Sequence, residues 1–172
     1  MNVIKWIRSV FSPLVTCPPK DDPVFGPLKV TIHGHDVFVW EPERRFTSHG
    51  ENALVTIFGD ENGPTERERN LFVELQQRYP DLRKLVEDPL AAEYESIRQG
   101  WGLGSPVLQS PSDIWKVAHL DWIEIYREGH EHCDMVLHHS IDWMIPPGEP
   151  QDDHELNVAI SEWRVVEVLR EG

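Results

Sequence analysis

An α+β fold is predicted: an antiparallel sheet of about six to seven strands, with two helices on one face and a short N-terminal helix. Two observations predict it. Short β-branched and aromatic runs flank a central stretch with helical spacing, and in the last third apolar residues alternate with acidic ones in four further runs. Strands, then helices, then a meander of strands is the order expected when helices gather on one side of an antiparallel sheet.

At 172 residues the chain suits one folding unit with a core of its own. The first stretch, Met1 to Val15, places Val3, Ile4, Trp6, Ile7, Val10, Phe11 and Leu14 at helical spacing. Lys5 and Arg8 interrupt the apolar core that a signal peptide needs, and no stretch reaches the roughly 20 apolar residues of a membrane span. A helix packed on the domain is the preferred reading over one lying on a membrane surface. Cys17 to Pro27 holds four prolines and reads as an arm, which makes residues 1–27 a helix and arm and residues 28–172 a single α+β domain.

Strands are expected at Lys29 to His33, Asp36 to Glu41 and Ala53 to Gly59, separated by Gly34 and by a polar turn from Arg44 to Asn52. The first central helix is well marked at its start: Pro64 suits the first turn, and Thr65 with Glu68 has capping-box spacing. Leu71, Phe72 and Leu75 form its buried stripe, and Tyr79-Pro80 is expected to end it. A second helix, Asp81 to Gln99, carries Leu82, Leu85, Val86, Leu90, Tyr94 and Ile97, with a bend at Asp88-Pro89 and a stop at Gly100. Trp101 to Asp113 reads as a loop. The last four strands are placed at Trp115 to Tyr126, Cys133 to Trp143, Glu155 to Ile160 and Trp163 to Leu169, the last pair joined tightly at Ser161-Glu162.

Charge is concentrated in that meander. From His119 onward there are thirteen Asp and Glu against three Lys and Arg, so −10 of the net −14 lies in the last third. A field of that sign repels phosphate backbones and acidic lipid surfaces and speeds encounter with basic partners, so nucleic-acid binding is disfavoured. Two distant cysteines, Cys17 and Cys133, suit a reducing compartment, and the cytoplasm is expected.

Nine histidines invite a search for metal or acid-base chemistry. His130 and His132 flank a hairpin turn, and with Glu131 or Asp134 they could supply part of a zinc site, although the spacing matches neither an H-x-x-x-H pair nor a C-x-x-C knuckle. A solvated hairpin tip is the plainer reading. His138 and His139 must face opposite sides of their strand. Gly100, Gly102 and Gly104 lack the lysine of a phosphate cradle, no serine sits in a G-x-S-x-G elbow, and Cys133 starts a strand as a small hydrophobe does. No catalytic residue and no cofactor is therefore assigned.

Five of the seven tryptophans lie from Trp101 onward. Rings interleaved with carboxylates, as in Trp122, Glu124 and Tyr126, can anchor a basic partner, with Trp101, Asp121, Glu124, Glu128, Glu131 and Asp134 as the candidate contact residues.

Ile141-Asp142-Trp143, then Asp153 to Val158, then Trp163 to Val168 resembles the ending of small, functionally uncharacterised bacterial α+β proteins, some of them encoded beside polymorphic toxins as immunity proteins. Phe58-Gly59 followed by Pro64-Thr65-Glu66 and a helix with Leu71-Phe72 is similar to the strand-to-helix junction of such proteins. The resemblance spans Leu28 to Val168 and brings across no catalytic residue. Together with the acidic last third, it implies a non-enzymatic, protein-binding module that neutralises or accompanies a basic protein, with immunity-type inhibition as the sharpest form. The alternatives from the residues themselves are a metal-dependent enzyme built on the histidine hairpin and a structural or secretion accessory protein contacted through the N-terminal helix.

Overall fold

The computed structural model describes residues 20–33, 37–101, 106–129, 132–141 and 155–171. The helix expected over Met1 to Val15, the Gly102 and Gly104 loop, His130, Glu131 and the segment from Asp142 to His154 lie outside them. The fold is α+β, with more strands and fewer helices than the sequence suggests. Strands β1 (Lys20–Asp22), β2 (Gly26–His33), β3 (Val37–Pro42), β4 (Phe46–Ser48) and β5 (Glu51–Gly59) precede one long helix, α1 (Glu66–Trp101). A 3₁₀ turn (Pro111–Lys116) follows, then β6 (Ala118–Ile125), β7 (Met135–Ile141), β8 (Glu155–Ser161) and β9 (Arg164–Glu171).

The strands form one open sheet in the order β1-β2-β3-β5-β6-β7-β8-β9, with β4 paired to β5 off that path. Neighbours are antiparallel except β5 and β6, which run parallel from Leu54↔Trp122 to Ile57↔Ile125. The expectation of a purely antiparallel sheet is corrected at that seam. Parallel neighbours need a long crossover, and α1 supplies it. The short strands β1 and β4 escape the pattern because Lys-Asp-Asp and Phe-Thr-Ser carry no alternation; each is defined by its hairpin partner.

The two expected helices are one. Phe72, Leu75, Tyr79, Leu82, Val86, Leu90, Tyr94 and Ile97 are all buried and keep a 3.6-residue period through Pro80 and Pro89. A proline inside a helix costs about 3 kcal/mol, whereas each large apolar side chain buried on a continuous stripe contributes about 1.5–3 kcal/mol. The stripe therefore outweighs the two breaks. At the N-terminus the Thr65 N–H donates to Glu68 Oε2 at 2.6 Å, the contact that the capping-box spacing predicts.

The stripe packs on one face of the sheet, against Val55 and Ile57 of β5, Leu120, Ile123 and Ile125 of β6, Leu137 of β7 and Leu156, Val158 and Ile160 of β8. A bulge in β6 between Leu120 and Trp122 resets the alternation. Leu120 pairs with His139 on the helix side, and Trp122 pairs with His138 on the outer side. Were β6 regular there, Trp122, two residues after Leu120, would share the core face with it.

The β8–β9 hairpin turns through Glu162 (φ 49°) and Trp163 (φ 61°). Two-residue hairpin turns want this left-handed backbone and usually fill it with Asn and Gly, because each bulky residue there costs about 1–2 kcal/mol. Asp134 Oδ2 holds the turn by accepting from the Glu162 N–H at 2.7 Å, and the Arg78 guanidinium lies 5.0 Å over the Trp163 ring. Glu162→Asn should stabilise the protein by about 0.5–1 kcal/mol in urea unfolding. An unchanged midpoint would count against strain in this turn.

Candidate functional site

The outer face of the sheet, opposite α1, gathers polar and aromatic side chains in cross-strand rows. One row reads Leu54, Trp122, His138, Asn157 and Leu169 from β5 to β9. The next reads Thr56, Glu124, Val136, Ala159 and Glu167. No described helix packs on this face.

His138 is the centre of it, 5 % exposed. Trp122 stacks on its ring, with centroids 4.6 Å apart and planes 20° off parallel, and the indole N–H donates to Thr56 Oγ1 at 2.8 Å. Glu155 Oε2 lies 3.3 Å from Nδ1. Glu124 Oε2 lies 3.3 Å from Nε2 as an ion pair outside hydrogen-bond geometry, and it also accepts from the Tyr126 hydroxyl. Tyr126 in turn stacks on Phe58 at 4.8 Å.

Burial of the His138 ring opposes its charge, but the two carboxylates together outweigh it and hold the imidazole up at about 9. The imidazolium holds Glu155 below the usual carboxylate range in return, against the pull of partial burial. His138 is thus a charged linker between two acids at neutral pH and a poor general base. Its two nitrogens face carboxylates on opposite sides, so Glu124, His138 and Glu155 do not open onto a common point. Among the described residues no three His, Cys, Asp or Glu side chains form a metal-holding group.

His139, the next residue, faces the core and is fully buried, with Nδ1 3.3 Å from the Leu156 carbonyl oxygen. Burial pushes its imidazole down to about 4. The opposite orientations follow from the strand period alone. The difference between a charged and a neutral ring follows from what each face supplies: two carboxylates outside, apolar side chains and a carbonyl inside.

These two histidines set a stability optimum. His138 titrates higher folded (about 9) than unfolded (6.5), so its contribution is complete below pH 6.5 and is lost as the pH rises through 9. His139 titrates lower folded, so its contribution is complete above pH 6.5 and is lost as the pH falls through 4. Unfolding free energies measured in urea from pH 4 to 9 should peak near pH 6.5 and drop by about 2–3 kcal/mol toward each end. A flat limb between pH 6.5 and 9 would contradict the pairing of His138 with both acids.

No protein-family model, curated protein or solved structure matches this chain.

The structure disperses the sequence-level candidates. Asp121, at the bulge, and Glu128 are exposed. Glu124 is turned onto His138 and Tyr126. Asp134 is taken up internally: Arg67 binds its carboxylate, its N–H donates to the Ile160 carbonyl at 2.8 Å, and it holds the Glu162 turn. Trp101 is the last residue of α1. His132 is exposed, and Asp134, a proposed co-ligand, is occupied. Sequence reasoning missed His138, Glu155 and Thr56 as companions of Glu124 and Trp122. The signal was present in the period-two spacing of Trp122, Glu124 and Tyr126, but the register that sets His138 beside them depends on the bulge.

Proposed function

We propose that the protein acts by binding a basic protein, neutralising or accompanying it through the acidic outer face of its C-terminal strands. The supporting observation is one of composition on a single face. The described outer-face positions of β5 to β9 present Glu124, Glu155 and Glu167 with the Trp122 ring and the stacked Phe58 and Tyr126, and the one basic side chain among them, Arg164, stands at the hairpin end opposite Ser161. Leu54 and Leu169, 50 % and 41 % exposed, border it with apolar surface. Aromatic anchors inside a rim of single-sign charge suit a partner that arrives by electrostatic steering and docks by ring burial. Asp121, Glu128 and Glu167 are exposed and supply the steering charge, while the His138 cluster fixes the rings. The resemblance of the chain's ending to toxin-linked bacterial proteins makes immunity-type inhibition the sharpest form of this reading.

A pull-down from lysate of the source organism, read by mass spectrometry, tests it. The wild-type chain should retain a basic protein in stoichiometric amount at low salt, with association slowed about tenfold or more at moderate salt. D121K/E167K should retain none. Equal retention by the charge-reversed chain, or no partner at either salt, would overturn the proposal.

A further inference from the structure

The middle of the outer face is buried on a side of the sheet where no described helix packs. Val136, His138, Asn157 and Ala159, neighbours across β7 and β8, all lie below the surface. An antiparallel sheet with one open face keeps that face in water, so small side chains buried at its centre call for a cover. Asn157 Oδ1 is buried there with no hydrogen-bond partner, which leaves an acceptor unused. Around this patch Leu54 and Leu169 are exposed, and Asp121, Glu124, Glu155 and Glu167 outnumber the cations His138 and Arg164.

Outside the described residues, two stretches of the chain are long enough to cross several strands, 1–19 and 142–154. Their charges differ. Residues 142–154 carry Asp142, Glu149, Asp152 and Asp153 and no Lys or Arg, so the acids of the face repel them. Residues 1–19 carry Lys5 and Arg8 and no acid, and their apolar residues recur at helical spacing. Length suffices as well. Lys20 opens β1 at one edge of the sheet, and from there to β7 is five strand spacings, about 24 Å. Thr16 to Pro19, extended, spans about 13 Å, and a helix over Met1 to Val15 adds about 22 Å.

We propose that Met1 to Val15 docks as an amphipathic helix on the outer face of β6 to β8, its apolar stripe over Val136 and Ala159 beside the Trp122 ring, with Lys5 and Arg8 drawn to the surrounding carboxylates. Apolar burial anchors the segment, and charge selects this face for it. The contact needs no partner. On the reading that this face binds a basic protein, the chain carries its own occupant of that surface, and the partner must displace it.

A nitroxide on Ser9→Cys in the full chain, with Cys17→Ser and Cys133→Ser, tests the contact. The label should broaden the Trp122 indole N–H and the Val136 and Ala159 amide resonances and leave that of Leu85 on α1 sharp. Adding K5E/R8E should cut the broadening at least threefold. In the chain with its cysteines intact, K5E/R8E alone should shift the Trp122 indole resonance, which covers a failure of the labelled chain to fold. Broadening of the α1 face instead, broadening of neither face, or equal broadening with K5E/R8E would overturn the proposal. So would broadening seen only between labelled and unlabelled chains in a mixture, which would put the segment on a second copy. The readout is independent of the pull-down, so a missing partner leaves this contact standing, and a missing contact leaves the binding reading standing.

Discussion

His138→Ala should destabilise the protein by about 3–5 kcal/mol near pH 6.5, the range found when one member of a buried ion pair is removed. The loss has two parts. Glu124 and Glu155 are left facing each other across the emptied ring position, with side chains 12 % and 32 % exposed and no imidazolium between them. Trp122 also loses the ring it stacks on. The electrostatic part carries a pH signature. Toward acid pH the stranded carboxylates of the variant take up protons and its deficit shrinks; toward pH 9 the deficit also shrinks, because the wild-type imidazolium itself discharges. His138→Ala combined with Glu155→Gln should recover part of the loss, since only one carboxylate then remains charged. A deficit independent of pH from 4 to 9 would mean that packing alone is responsible.

Asp22→Ala should cost about as much, 3–5 kcal/mol, for a different reason. The side chain of Asp22 is 3 % exposed and ion-pairs through Oδ2 with Arg69 Nε of α1 at 2.9 Å. Its Oδ1 accepts from the N–H groups of Val24 and Phe25 at 2.9 and 3.1 Å. One carboxylate thus closes the turn between β1 and β2 and ties that edge hairpin to the helix. Phe25, placed by the turn, packs on Phe72 with ring centroids 4.9 Å apart. Asp22→Asn keeps the acceptor for the turn but not the charge, so it should lose less than the alanine variant. Equal losses for the two variants in urea unfolding would assign the whole effect to the ion pair.

Much of the fold is legible in the residues, and the exceptions have physical causes. Strands β2, β3, β5, β6, β7, β8 and β9 are visible because their apolar residues alternate or cluster between turn residues. The helical stripe is visible too, but Pro80 suggests a stop that the uninterrupted period of Tyr79, Leu82 and Val86 overrides. The parallel seam between β5 and β6 is invisible, since nothing local distinguishes a parallel neighbour from an antiparallel one. Of the outer-face cluster, Trp122 and Glu124 stand out by their alternation and His138 by its adjacency to His139. That the three meet depends on a bulge at Asp121, a feature of pairing with no residue signature of its own. The stack of Arg83 on Trp115, beside the His139 ring, is harder still, because it joins a helix to a strand more than fifty residues away along the chain.

The parallel seam also governs how the chain can assemble. β1 to β5 and β6 to β9 are each built from antiparallel hairpins between near neighbours in sequence, which close quickly because the loops are short. Among the described residues, the ladder between the two meanders is the four pairs from Leu54↔Trp122 to Ile57↔Ile125, and all of α1 must be spanned before it can form. Folding should therefore run as two fast local collapses followed by a slower zipping of the central seam over the helix. A chain cut between Pro106 and Ser110 would keep both meanders whole, and its two pieces would find each other through that same seam.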